Sequence, residues 1–240
     1  MAEEDKDGLL TYLESFLTEA RQARIQEILD MRTRWITLVL EDLIDPHNAS
    51  ACLRSAEACG LQDVHIIENR HAFQVKTGVS MGSAHWLSIH KHSHSAGPED
   101  ARPHNPFAAT TRCYEDLRAR GYTVLATSPH ESSISLPDVP LDKPVAIVFG
   151  SEKDGISATA RQEADYSLKI PMHGFTESFN ISVCAAITVY DLMHRLRRSE
   201  FPWQLSADEK RDLRLQWARH SLKRSDLLER QFLKEKRYIT

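Results

Sequence analysis

Two glycine-containing segments hold the residue types best suited to chemistry: VFGSEKDGIS (148–157) and IPMHGFTESFNIS (170–182). Gly150 follows an apolar, β-branched run, so it stands at the carboxyl end of a strand, where open α/β sheets bind ligands. Thr127 ends YTVLAT in the same way. Gly150, Gly155 and Gly174 allow backbone angles that other residues resist, so the chain can turn tightly around a ligand. Strand ends that offer free N–H and C=O groups suit a small, flat, hydrogen-bonding molecule such as an adenine ring. Ser178 and Asn180 open a long apolar helix. Spaced by two, they can cap it or present polar groups at its N-terminus. His90, His92 and His94 alternate and would face one way on a strand, with His85 near. No Cys or carboxylate completes a metal site with them at a known spacing, so exposed edge histidines are the expectation.

These residues need a scaffold, and the chain alternates strands with helices. ITLVLED (36–42) reads as a strand, and SACLRSAEACG as a helix closed by Gly60. VHII (64–67), WLSIH (86–90), YTVLAT (122–127) and VAIVFG (145–150) read as further strands. Helices are expected near 111–120 (closed by Gly121), from about 156, and over about 178–197, with a short LKI edge between the last two. That order predicts an α/β layer with a mostly parallel sheet. A dinucleotide fold would need G-x-G-x-x-G after the first strand, but EDLIDPHNASACLRS follows and has no glycine. No phosphate-cradling G-x-x-x-x-G-K-[ST] is present either.

Helical stretches flank this core. Leu9, Leu13, Phe16, Leu17 and Ala20 predict one amphipathic helix over 9–34, with Asp5 and Asp7 just ahead of it. Residues 200–240 read as helical after Pro202, with a cap at Ser206. They divide the chain into an N-terminal extension (1–34), a core (35–199) and a C-terminal extension (200–240). The chain carries 41% hydrophobic and 27% charged residues and a net charge of -4, which gives no global sign of nucleic-acid binding. Locally, residues 219–240 hold seven Lys/Arg against three acids. Four cysteines without framework spacing predict packed thiols and a reducing, cytoplasmic setting. No apolar run reaches the ~18 residues of a membrane span.

Three blocks, in order, resemble one family. The first is N-x-x-A-x-x-R, from Asn48 to Arg54. The second is Phe149-Gly150-Ser151-Glu152-Lys153-Asp154-Gly155. The third runs from Ile170 to Ser182 as I-P-M-x-G-x-x-[EQ]-S-x-N-x-S. Together they resemble the SPOUT-class RNA 2'-O-ribose methyltransferases of the TrmH group, over about residues 35–199. The resemblance implies a deep trefoil knot at about 145–199, a homodimer, and S-adenosylmethionine as cofactor; from the residues themselves no metal is expected. The resemblance places Thr127, Gly150, Ile170, Met172 and Phe179 on cofactor positions, and Arg54, Asn48, Glu152, Ser178 and Asn180 on catalytic ones.

Arginine is a poor base because its pKa exceeds ~12. Arg54 either clamps a substrate phosphate, which positions the ribose hydroxyl, or acts as base with that phosphate's help. Asn48 is expected to cap the helix carrying Arg54. The extensions resemble those of the branch that methylates a D-loop guanosine of tRNA. The basic tail (Arg219, Lys223, Arg224, Arg230, Lys234) would then supply phosphate contacts. Ribosomal RNA is the alternative substrate, and a non-catalytic RNA-binding protein on the same fold the alternative class.

Overall fold

The computed structural model describes residues 3–75, 82–93, 106–128, 133–176 and 178–239. His94 and Glu177 lie outside them. The chain divides into two compact units: residues 33–203, and residues 1–32 together with 204–240.

The unit 33–203 is built on seven strands: β1 (Ile36–Glu41), β2 (Asp63–Glu68), β3 (Ser88–Ser93), β4 (Thr123–Thr127), β5 (Ile134–Ser135), β6 (Val145–Phe149) and β7 (Tyr166–Lys169). They form one sheet in the order β3-β2-β1-β6-β4-β7-β5, and each neighbouring pair is parallel. A parallel sheet has to be covered on both faces, and alternation along β1 does this. Leu38 and Leu40 point to one face, into a core with Leu53 of α3 (Pro46–Cys59) and Val189 and Leu192 of α6 (Ile181–Leu196). Val39 points to the other, where Cys113, Tyr114 and Leu117 of α4 (Ala108–Ala119) meet Ala160 of α5 (Ala158–Glu163).

The sequence places most elements within two or three residues. Gly60 closes α3 in the left-handed conformation at φ 95°, and Gly121 follows α4 at φ 84°. Three expectations change. Trp86 closes a 3-10 turn (Ser83–Trp86), so the third strand begins only at Ser88. The LKI segment is not an edge, because β5 pairs outside β7. Asn48 does not cap α3; Asp45 does, accepting from the His47 amide, with Pro46 at the first helical position. Asn48 therefore sits in the first turn with its side chain free for other partners.

The second unit joins the two chain ends. The expected single N-terminal helix is two, α1 (Glu3–Glu14) and α2 (Glu19–Asp30). The break comes where Thr18 caps α2 by accepting from the Arg21 amide. Phe16, expected on the apolar stripe, is instead half exposed. The helix also starts earlier than expected, so Asp7 falls inside it. The other half consists of α7 (Ala207–Ser221) and α8 (Ser225–Ile239). A reciprocal capping box of Ser206 and Glu209 opens α7. Leu9 and Leu13 pack with Leu215 and Ala218, and Tyr12 meets the Phe232 ring. Arg32 is fully buried with its guanidinium over Trp217.

Charge follows the same pairing. Residues 1–32 hold eight acids and four Lys/Arg, whereas 204–240 hold ten Lys/Arg and six acids. Ion pairs Lys6–Asp212, Lys210–Asp30, Arg211–Asp7 and Arg214–Glu14 join the two halves. Among the described residues, no helix is long and apolar enough to cross a membrane.

Candidate active site

The carboxyl ends of β4, β6 and β7 open onto one cleft of about 1130 Å³. Thr127, Gly150, Ile170, Met172 and Phe179 all line it, and so do Glu152, Ser178 and Asn180. Phe149, Leu168 and Ile181 add apolar wall. The volume suits a ligand the size of a nucleoside with a side chain. Thr127 donates its hydroxyl to the Val148 carbonyl, so its side chain ties β4 to β6.

Gly150 explains the tight turn above β6. A Cβ there would lie 2.1 Å from both the carbonyl carbon and oxygen of Gly155. Ser151 and Gly155 close the turn with two backbone hydrogen bonds of 3.0 Å, and the Asp154 amide donates to Ser151 Oγ. Gly155 sits at φ +66°, which favours glycine. The turn holds the second sequence block against the cleft.

A side-chain relay then joins all three blocks. Asn48 Nδ2 donates to Glu152 Oε1 at 2.9 Å. Asn180 Nδ2 donates to Asn48 Oδ1 at 3.1 Å. Asn180 Oδ1 accepts from the Ser182 amide and from Ser182 Oγ, at 2.9 and 2.6 Å. The ionised carboxylate of Glu152 can only accept. Asn48 must therefore turn its amide nitrogen to Glu152 and its oxygen to Asn180. Asn180 must turn its nitrogen to Asn48, which leaves its oxygen for the start of α6. One charge thus sets the polarity of the whole chain of bonds. Asn180 caps α6, as its position suggested, and Ser182 proves to be a working member of the relay.

Arg54 is placed differently. It is exposed on α3 and is not among the residues that line the cleft. Six residues beyond Asn48, it stands about 9 Å further along the helix and on another side of it. Among the described residues it has no hydrogen bond or ion pair.

A model described as the SpoU rRNA Methylase family matches residues 35–190. The chain belongs to that family. Among its relatives, the tRNA (guanosine(18)-2'-O)-methyltransferase of Borreliella burgdorferi is 37% identical over 217 residues, covering 90% of this chain and 93% of its own. The enzyme of the same name from Thermus thermophilus is 35% identical, covering 72% of this chain and 82% of its own. The solved TrmH/SpoU tRNA modifying enzyme of Aquifex aeolicus superposes with a TM-score of 0.70 at 25% identity, over 85% of this chain and 98% of the other.

Two acids of this SpoU chain were not singled out from the sequence. Glu41, at the end of β1, is 1% exposed. It accepts from the Ser157 amide, Ser157 Oγ and Thr110 Oγ1, and so anchors the starts of α5 and α4. Asp42 holds a left-handed φ of 51° and accepts from the amides of Asn69, Arg70 and His71. The available signal was two acids closing an apolar strand, where burial demands hydrogen-bond partners. The cysteines are free, with Cys52 and Cys113 buried; burial pushes the Cys52 thiol up to about 12.

Proposed function

We propose that this chain transfers a methyl group from S-adenosylmethionine to the 2'-hydroxyl of a guanosine in the D-loop of tRNA, acting as a cytoplasmic homodimer. The observation that carries this reading is the cleft at the strand ends, ringed by the relay that links the three sequence blocks. When bound, the cofactor supplies an electrophilic methyl group on a sulfonium. The cleft's apolar walls and strand-end backbone fit its adenosine. Gly150, Ile170 and Met172 offer main-chain groups, Phe179 an aromatic wall, and Thr127 a main-chain position made rigid by its own side chain. The knot follows the family: the chain passes from β6 through β7 to α6 around this cleft.

Arg54 clamps the RNA phosphate beside the target ribose, and so orients the hydroxyl. Ser178 stands exposed at the rim, where its hydroxyl can reach the ribose. Asn48, Glu152 and Asn180 act by holding the cleft loops in register. In Glu152→Gln the relay loses its fixed polarity and its charge-assisted bond, a difference of about 1 kcal/mol. The expected result is a kcat five- to tenfold lower with a nearly unchanged cofactor Kd. Steady-state kinetics with isothermal titration would check it.

The tRNA substrate is supported by the extent of similarity. The Borreliella alignment spans 217 residues, against 171 in the unit 33–203, so at least 46 fall in the helical unit. Within that unit Arg219 is already bonded to Glu229 at 2.6 Å. Lys223, Arg224, Arg230 and Lys234 are exposed and remain the phosphate contacts. Changing these four to glutamine is expected to lower the slope of log affinity against log salt by roughly three. Filter binding across a salt series would measure it.

The dimer reading rests on a groove between α3 and α6, lined by Ser55, Ala58, Cys59, Ala186, Ile187 and Tyr190. Tyr190 is 69% exposed and Val183 43%. The second copy covers this patch, and Arg54, one turn from Ala58, borders it. Tyr190→Glu would bury an unpaired charge. It is expected to sediment as a monomer at concentrations where Tyr190→Phe is dimeric.

Methyl transfer from labelled S-adenosylmethionine to total tRNA and to ribosomal RNA tests the whole reading. Label in tRNA, mapped to a D-loop guanosine, is expected. Label only in ribosomal RNA would replace the substrate, and no label in either would favour a non-catalytic RNA-binding protein.

A further inference from the structure

The histidines of β3 acquire partners that their own spacing does not reveal. His65 on β2 is 2% exposed and pairs with His90 in the parallel register, and its ring also lies 5.3 Å from that of His92. Its Nδ1 is 3.0 Å from His92 Nε2. Cys113 of α4, fully buried, faces the same pair. One nitrogen of each imidazole and the Cys113 Sγ lie within 4.8 Å of one another.

Three further observations bear on what this group does. His65 Nε2 is buried and has no hydrogen-bond partner among the described residues. An unpaired polar atom in a core needs an explanation. The other ring nitrogen of His92, Nδ1, stands 3.9 Å from an Asp116 carboxylate oxygen. A carboxylate behind a histidine is the usual outer support of a metal-binding imidazole. His90 stacks on His65 with ring centres 4.6 Å apart, and its Nε2 turns away to Asp63 at 3.3 Å. It therefore braces His65 from the side.

We propose that His65, His92 and Cys113 form a binding site for a zinc-class divalent metal, which cross-links β2, β3 and α4 on the sheet away from the methyl-transfer cleft. Two imidazoles and one thiolate are the donor set that zinc and cobalt(II) accept in tetrahedral sites, with water in the fourth position. Zinc bonds of about 2.0–2.3 Å need donor atoms roughly 3.3–3.8 Å apart. The 3.0 Å between the two imidazole nitrogens and the 4.8 Å limit for the whole group bracket that spacing. Burial lowers the His65 imidazole's affinity for a proton below its ordinary value. Burial pushes the Cys113 thiol well above its ordinary range. On binding, the S–Zn bond replaces S–H and the proton leaves to solvent.

The test uses the full chain, stripped with chelator and titrated with cobalt(II). The expected result is one cobalt per chain with a sulfur-to-cobalt charge-transfer absorption, displaced by zinc, and a higher Tm with either metal. Cys113→Ser should abolish the charge-transfer band. His92→Gln, at a position less buried than Cys113, should weaken binding at least tenfold. Absence of the band in the parent protein would overturn the proposal, as would an unchanged band in either variant. The cofactor Kd is expected to be unchanged by metal, so this result stands apart from the test of methyl transfer.

Discussion

Arg54→Ala is expected to lower methyl transfer on the order of 1000-fold and to leave the S-adenosylmethionine Kd within about threefold. The geometry separates the two quantities. Arg54 does not line the cleft and has no partner among the described residues. Removing it therefore takes nothing from the cofactor site or the relay. On the proposed reading, what it loses is a bidentate clamp on an RNA phosphate, whose contribution appears when the ribose hydroxyl is aligned with the methyl group. Arg54→Lys keeps the charge and loses the planar fork. Its turnover should recover by less than tenfold. Single-turnover methylation, beside cofactor titration on the same preparations, measures both. A turnover near that of the parent in Arg54→Ala would remove this residue from the reaction.

Gly150→Ala acts on the opposite half of the process. The added methyl would sit 2.1 Å from Gly155 backbone atoms and 2.2 Å from the Ile156 nitrogen. Backbone cannot rotate away as a side-chain tip can, so the turn must open. The two Ser151–Gly155 bonds and the lip of the cleft move with it. Overpacking of this kind costs about 1–3 kcal/mol. The cofactor Kd is expected to rise roughly 10- to 100-fold, with a Tm lower by several degrees. Calorimetric titration and thermal unfolding would check the pair. Gly174→Ala is the control, because its nearest contact is an ordinary 4.0 Å; it should bind cofactor nearly as the parent does. Of Gly150, Gly155 and Gly174, the first is required for space and the second for its left-handed backbone, whereas the third is required for neither.

Much of this was legible in the sequence because it depends on near neighbours. Apolar runs of four to six residues announced β1, β2, β4 and β6. Gly60 and Gly121 announced the ends of α3 and α4. The blocks around Asn48, Gly150 and Asn180 pointed to a cleft at strand ends, and Thr127, Gly150, Ile170, Met172 and Phe179, which the family resemblance singled out, all line one. The errors also have local causes. Pro46 behind Asp45 made a better helix start than Asn48, and Thr18 interrupted a stripe that continued on paper.

By itself, the sequence determined the type of layer, the strand-end location of the cleft and the residue types available to line it, since propensity and spacing act over a few residues. The tertiary structure alone decided who meets whom. Asn48, Glu152 and Asn180 form one relay although about 130 residues separate its ends. The acidic N-terminal arm and the basic C-terminal one became a single paired unit. His65, and Cys113 read only as a packed thiol, joined the histidines of β3. Such contacts follow from how strands order within the sheet and which helix covers which face. Neither is written in any short stretch of residues.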